Sequence, residues 1–257
     1  MIFAKFQGLL LVCLCLAARA AFADSAAEIA DLSARIDYGF YSEEPRVVEA
    51  ASKALERLDE RDPSVRYYRA LGALRLAQLR LRDGRQIGEL LDDCTRQAAP
   101  VETQREAIAE GWILVAACAS LSAHAEPMRA LVHQRRRDQA LERARQVDAA
   151  NPRIALIEAW SSSPRSLPDE RAAIEQAAQS LVSAVDRFRS WNGPHDAPQW
   201  GEAEALAQLG EIRLRRGESR EARDLIERAL LIAPDYRFAL GLQDVLLGRR
   251  ALDAEAR

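Results

Sequence analysis

The chain has 257 residues, of which 49% are hydrophobic, and its 36 basic and 39 acidic side chains give a net charge of −3. A protein that holds nucleic acid through its phosphates carries a basic surplus, so this balance argues against that class of partner. Runs of alternating β-branched residues are nearly absent, and the helix-favouring residues alanine, leucine, arginine and glutamate dominate. The sequence therefore predicts an all-α fold.

The first element, residues 1–23, is predicted to be a secretory signal peptide. Lys5 precedes a short apolar run from Gly8 to Ala18, and the small residues of Ala21–Ala23 form a cleavage site before Asp24. The run is shorter than the roughly 20 residues that a membrane-spanning helix needs, which disfavours the alternative of an N-terminal anchor. The prediction implies that the protein is exported.

The mature chain is then expected to be residues 24–257, a single domain. Removing residues 1–23 takes away Lys5 and Arg19 and no acid, so 34 basic and 39 acidic side chains remain and the net charge is −5. No later segment has transmembrane length, so we expect the mature protein to be soluble. Lipidation is disfavoured, because neither Cys13 nor Cys15 follows a small residue.

About eleven helices follow, separated by prolines and glycines. The predicted helices cover 25–37, 45–61, 64–81, 86–98, 102–123, a sixth that ends near 150, 152–160, 168–188, a pair on either side of Gly217, and 236–250. Short connections between consecutive helices indicate that they pack as antiparallel pairs.

The clearest pair, residues 203–236, has a regular spacing of small and apolar positions. Close approach of two helices requires small residues, and the seam between them requires apolar ones. Those positions are held by Leu206, Leu209, Gly210, Ala222, Ile226, Ala229 and Leu230, with Gly217 at the turn and Pro234 after the second helix.

This spacing resembles the tetratricopeptide repeat (TPR) family, whose pattern has Leu-Gly in the first helix, then alanine and proline. Arg213 departs from the family, which has an aromatic residue there. Partial copies occur earlier in the chain, at Ala51, Leu55, Leu58 and Pro63, at Tyr68, Leu71 and Gly72, and at Ala140, Ala144 and Pro152. The resemblance implies a right-handed superhelical stack of helix pairs, a TPR-like solenoid, with the last helix as its cap.

The layout also resembles a group of exported bacterial repeat proteins. The shared features are Asn151-Pro152-Arg153, which opens a short helix, and Trp200-Gly201, which leads into the clear repeat. This narrower resemblance implies a periplasmic protein of a Gram-negative bacterium.

The resemblance to the TPR family further implies that first helices line a concave surface that binds another protein. Glu204, Ala207, Glu211 and Arg215 are the expected lining residues in the clear repeat. Family members that grip chaperone tails place lysine and asparagine where this chain has Ala207 and Glu211, so that class of partner is not expected. The predicted function is a periplasmic scaffold or adaptor whose protein partner is not identified.

The segment 190–200 is the least helical stretch and carries Trp191, His195 and Trp200. These residues form a recognition loop in one interpretation and pack the loop onto neighbouring helices in the other. Two alternatives to the adaptor remain open: an enzyme or small-ligand binder with its site in this segment, and a module for self-assembly.

No catalytic set is recognisable, so we predict a protein that is not an enzyme and has no cofactor or metal. The three histidines, His124, His133 and His195, have no partners at metal-ligand spacing. Nucleophile-elbow, zinc-protease and phosphate-loop motifs are missing from the sequence.

Cys94 and Cys118 are the two cysteines of the mature chain. If the chain reverses near Pro100, the two residues lie roughly 18 Å apart along antiparallel helices. A disulfide needs Cα atoms within about 7 Å, so this placement disfavours a bond without excluding it.

Overall fold

The computed structural model describes residues 25–82, 84, 86–98, 108–161, 170–193 and 198–251. The predicted signal peptide, residues 1–23, lies outside the described residues, as does His195.

The described part of the chain is all-helical, with eleven α-helices and no strand, as predicted. The helices are α1 (25–41), α2 (Pro45–Leu55), α3 (Pro63–Arg82), α4 (Gly88–Ala98), α5 (Ile108–Ala125), α6 (Ala130–Asp148), α7 (Pro152–Ser161), α8 (Glu170–Ser190), α9 (Glu202–Arg215), α10 (Ser219–Ile232) and α11 (Arg237–Leu246). A short 3₁₀ helix, Pro127–Arg129, precedes α6. Within these residues, no helix has the length and apolar character that a membrane span requires.

Consecutive helices pack against each other, most extensively as the pairs α3–α4, α5–α6, α7–α8 and α9–α10. Contacts also join odd-numbered helices to the next odd-numbered helix, as in α3–α5, α5–α7 and α9–α11. The predicted packing in consecutive pairs is confirmed.

The pair α9–α10 shows why the repeat positions are small. A Cβ added to Gly210 would lie 2.9 Å from Ile226 Cγ1 and 3.5 Å from the main-chain oxygen of Ala222. Gly217 adopts φ of 77° at the turn between the two helices, a conformation that favours glycine. The close approach and the turn that the sequence predicts are both present.

Helix α2 ends six residues earlier than the predicted Arg61. The carboxylate of Asp59 accepts a hydrogen bond from the main-chain N–H of Arg61 (2.9 Å), and that of Asp62 accepts one from Ser64 (2.8 Å). Such local bonds compete with the helical hydrogen bonds and favour turns. Asp62 thereby precedes and caps α3.

The estimate that disfavoured a disulfide is wrong, because Cys94 of α4 and Cys118 of α5 are bonded and their Cα atoms are 6.3 Å apart. The main-chain oxygen of Ala98 lies opposite Gly111, 2.8 Å from an added Cβ. The two helices are therefore aligned about a point further along the chain than Pro100, which brings the cysteines level with each other.

The first helices of the chain also contact the last ones. The ring of Tyr41 lies 4.9 Å from that of Tyr236, and Phe40 lies 6.4 Å from the same ring. Trp200 is fully buried and donates a hydrogen bond from Nε1 to the Tyr67 hydroxyl (2.6 Å). Buried residues from the first helices to the last thus form one continuous core.

Candidate functional site

Two of the four residues expected on the concave surface, Glu204 and Ala207, are in the interior, and so is Trp200 of the segment 190–200. Glu204 is 1% exposed, and Ala207 and Trp200 are fully buried. Glu204 is inaccessible because α1 and α3 contact it through Tyr41 and Arg75. The structure therefore does not show the accessible groove that was expected from these residues.

The other expected residues are scattered. Glu211 and Arg215 lie on the accessible part of α9 and pair with each other at 2.9 Å. Trp191 is half-buried, with its ring 5.1 Å from the Arg153 guanidinium, a contact that fits the packing interpretation of the segment 190–200. These residues do not form one site.

Glu204 forms a buried ion pair with Arg75 of α3. Its other oxygen accepts hydrogen bonds from the Tyr41 hydroxyl (2.7 Å) and from the main-chain N–H of Gly201 (2.8 Å). Burial alone would raise the pKa of Glu204, but the Arg75 charge and the hydrogen bonds from Tyr41 and Arg75 outweigh it and lower the pKa. The carboxylate therefore stays ionised and joins α1, α3 and α9.

The Arg75 guanidinium is held by aromatic rings as well as by charge. It lies 3.9 Å from the centroid of the Phe40 ring and 5.2 Å from that of Trp200. Its Nη1 donates to Gln78 at 3.1 Å, whereas its Nε has no hydrogen-bond partner.

A second buried arginine, Arg153 of α7, fixes the entry to α9. It pairs with Glu110 of α5 at 3.2 Å and donates from Nε to the main-chain oxygen of Trp200 at 3.0 Å. Glu110 also accepts hydrogen bonds from Asn151 (2.7 Å) and Tyr67 (3.3 Å). Asn151 and Arg153, which the sequence singled out, thus join the start of α7 to α5, and Arg153 also joins it to the segment before α9.

A cavity of about 770 Å³ runs along α1 and is partly open to solvent. We call it the α1 cavity. One face of α1, from Ser25 to Tyr41, forms its floor, and its walls come from 62–68 at the start of α3 and from 232–235 between α10 and α11. Gln199, from the segment that the sequence singled out, also lines it.

Asp37 lies in this cavity with an unsatisfied oxygen. Its Oδ1 is buried and has no hydrogen-bond partner. Burial raises the pKa of Asp37 to about 7; the charges of Arg75 and Arg153 act in the opposite direction, and Glu204 adds to the rise. The Asp37 carboxyl group therefore changes its charge near neutral pH.

The lining of the α1 cavity is acidic. Asp37, Asp62 and Asp235 contribute three carboxyl groups, and the described lining residues include no lysine, arginine or histidine. Tyr38, Tyr41 and Tyr68 add aromatic surface and hydroxyl groups. The sequence does not indicate this site, because its residues come from four separate stretches of chain and match no motif.

Among the described residues, no three His, Cys, Asp or Glu side chains are grouped so that they could hold a metal ion. The chain matches no protein-family model, and no curated protein or solved structure is significantly similar to it. The interpretation of the site therefore rests on its geometry and chemistry.

Proposed function

We propose that the chain is an exported, TPR-like repeat protein that works as a periplasmic scaffold or adaptor. A segment of the partner protein would lie in the α1 cavity, and not on the face of α9 that carries Glu204 and Ala207. The observation that carries the proposal is the elongated, half-open α1 cavity beside a core that is otherwise closed.

The length of the cavity suits a peptide. Its floor extends over α1 from Ser25 to Tyr41, which is roughly 24 Å of helix at 1.5 Å per residue. An extended segment of about seven residues has that length. Ser33, Ser64 and Tyr68 on the cavity lining can exchange hydrogen bonds with peptide groups.

The disulfide between Cys94 and Cys118 supports export. Disulfides persist in oxidising compartments such as the bacterial periplasm and are rare in the cytosol. The signal-peptide pattern of residues 1–23 and the TPR-like pair α9–α10 support the same assignment.

A small-ligand binder is a second candidate, favoured by the volume of the cavity. About 770 Å³ lies within the usual range of small-molecule pockets, roughly 300–1,000 Å³. In that case the same cavity would hold a compact molecule instead of a protein segment.

Selection of random heptapeptides displayed on phage tests the adaptor proposal. The chain would be used in three forms: wild type; Ala34→Trp, which places an indole in the cavity; and Ala27→Trp, which places one on α1 outside the cavity lining. We expect the enriched peptides to bind wild type and Ala27→Trp equally and to lose at least about tenfold in affinity for Ala34→Trp.

Two results would contradict the proposal. If no peptide is enriched over a matrix control, the cavity does not bind peptide segments. If the enriched peptides bind Ala34→Trp as well as wild type, their site lies elsewhere. Circular dichroism of the three forms checks that each is folded.

A further inference from the structure

We propose that the α1 cavity selects a ligand with a positively charged group, an ammonium or a guanidinium, and that this group pairs with the Asp37 carboxylate. This inference rests on the cavity assigned above and specifies the chemistry of its occupant. The group is a lysine or arginine side chain of the bound segment, and small amines serve as its probes.

One carboxylate oxygen of Asp37 receives no hydrogen bond from the protein. Its Oδ1 is buried without a hydrogen-bond partner, although the residue lines an open cavity. Native proteins satisfy most buried polar atoms, so an orphaned carboxylate oxygen beside a cavity calls for an explanation. A cation that enters the cavity and pairs with the carboxyl group would stabilise the negative charge that this oxygen shares.

The two nearby arginines already have ion-pair partners. Arg75 of α3 is paired with Glu204 of α9, and Arg153 of α7 is paired with Glu110 and with the Trp200 main chain. Each of these charges acts on Asp37 from a distance without a direct bond. Neither arginine therefore pairs directly with the Asp37 carboxylate, which leaves it open to a cation of the ligand.

The remaining titratable groups around Asp37 are tyrosines with other partners. Tyr41, from the next turn of α1, donates to Glu204, and Tyr68 of α3 is hydrogen-bonded to Ser33. Neither provides a positive charge. Their rings offer surfaces over which a cation can also lie.

The charge of the cavity lining as a whole also favours a cation. Asp62 and Asp235 lie on the two walls, and no basic side chain is among the described lining residues. Ile29 and Ala30 of α1 and Ala233 next to α10 provide an apolar lining beside these carboxyl groups. The cavity therefore matches a molecule with an apolar body and a cationic end.

Protonation of Asp37 adds a pH dependence. With a pKa of about 7 in the free protein, the carboxyl group is ionised in most molecules at pH 8 and in about one tenth of them at pH 6. Because the cation binds the ionised form, its affinity should fall about tenfold between pH 8 and pH 6.

Three probes of the same shape test the inference: 4-phenylbutylamine, 4-phenylbutanol and 4-phenylbutyrate. Their dissociation constants would be measured by NMR titration at pH 8 and pH 6. The protein forms are wild type, Asp37→Asn, Ala34→Trp and Ala27→Trp. Asp37→Asn keeps the shape of the side chain and removes its charge.

We expect the amine to bind wild type at pH 8 at least about tenfold more tightly than the alcohol, and the carboxylate to bind most weakly. Asp37→Asn should abolish the preference for the amine and its pH dependence while changing the alcohol by less than about twofold. Ala34→Trp should weaken both probes, and Ala27→Trp should weaken neither.

The inference is overturned if amine and alcohol bind wild type equally, if no probe binds, or if Asp37→Asn retains the preference. It is also overturned if Ala34→Trp leaves amine binding unchanged, since the charge would then be read elsewhere. The peptide selection is scored separately, so enriched peptides without a cationic preference would leave the adaptor function standing.

Discussion

Asp37 keeps its proton to a higher pH in the folded protein than in the unfolded chain. Its pKa rises from 3.8 to about 7, with burial as the main cause. The unfolded chain therefore releases the proton first, and the contribution of Asp37 to stability falls as the pH rises from about 4 to 7. Above pH 7 the loss is complete and constant.

Asp37→Asn should consequently raise the free energy of unfolding at pH 8. The upper limit is about 4 kcal/mol, since each pKa unit corresponds to about 1.4 kcal/mol. Urea denaturation at several pH values measures the effect, and the advantage of the variant should shrink as the pH falls toward 4.

Asp31→Asn is the matched control for this measurement. Asp31 lies on the same helix, is largely exposed and pairs with Arg35 at 2.9 Å. Exposed pairs of this kind contribute about 0–1 kcal/mol, so the control should change little at any pH. Equal stability of Asp37→Asn and wild type at pH 8 would show that the carboxyl group is not strained by burial.

Nothing in the sequence indicates that Asp37 and Glu204 are buried. Both follow helical spacing, and their burial depends on residues far along the chain: Glu204 on Arg75, and Asp37 on the walls of the α1 cavity. By contrast, Gly210 was identified correctly because its partners, Ala222 and Ile226, belong to the same local repeat.

Helix pairs are the elements that the sequence predicted well. The pair α9–α10 and the final helix α11 lie where the spacing of Gly210, Gly217 and Pro234 places them. Periodicity reports which residues face a neighbouring helix, but it does not report how two helices are aligned. For this reason the all-helical fold is confirmed, whereas the predicted distance between Cys94 and Cys118 is wrong.

Gly210→Ala tests the close contact within α9–α10. The added Cβ would lie 2.9 Å from Ile226 Cγ1, a buried atom, so packing should cost about 1–3 kcal/mol. The better helix propensity of alanine offsets about 1 kcal/mol of this. Thermal unfolding should therefore show a lower Tm.

Gly88→Ala in α4 is the matched control, because nothing lies within 4 Å of its added Cβ. It should leave Tm unchanged or raise it slightly. A Gly210→Ala protein as stable as Gly88→Ala would mean that α9 and α10 are not in tight contact at this point.

Contact between the first helices and the last ones is the property of the whole molecule that the sequence did not predict. An open solenoid joins each repeat to its neighbours alone. Here Arg75 and Glu204 are 129 positions apart, and Tyr41 and Glu204 are 163 apart, yet both pairs are bonded. A repeat pattern indicates contacts within a helix pair and between neighbouring pairs, and it does not indicate contacts between residues this far apart in the chain.

Arg75→Met should weaken the contact between the first and last helices. It leaves the buried Glu204 carboxylate without its ionic partner, which typically costs about 3–5 kcal/mol. Chemical denaturation followed by both tryptophan fluorescence and circular dichroism should give coincident transitions for wild type. We expect separate transitions for Arg75→Met, because the chain then behaves more like an array of independent repeats.

The double variant Arg75→Met/Glu204→Gln is the companion measurement. Removing both charges should restore part of the lost stability, since no unpaired charge is left in the core. If Arg75→Met unfolds as wild type does, the ion pair does not hold the two ends of the chain together.

The bond between Cys94 and Cys118 joins the chain across the interval from Ala98 to Ile108. A specific protease site inserted between Gln104 and Arg105 would let the backbone be cut there. The two pieces should migrate as one species on a non-reducing gel and separate after thiol is added, whereas Cys118→Ser should separate in both gels. A nick in this interval would therefore leave the protein in one piece for as long as its surroundings stay oxidising.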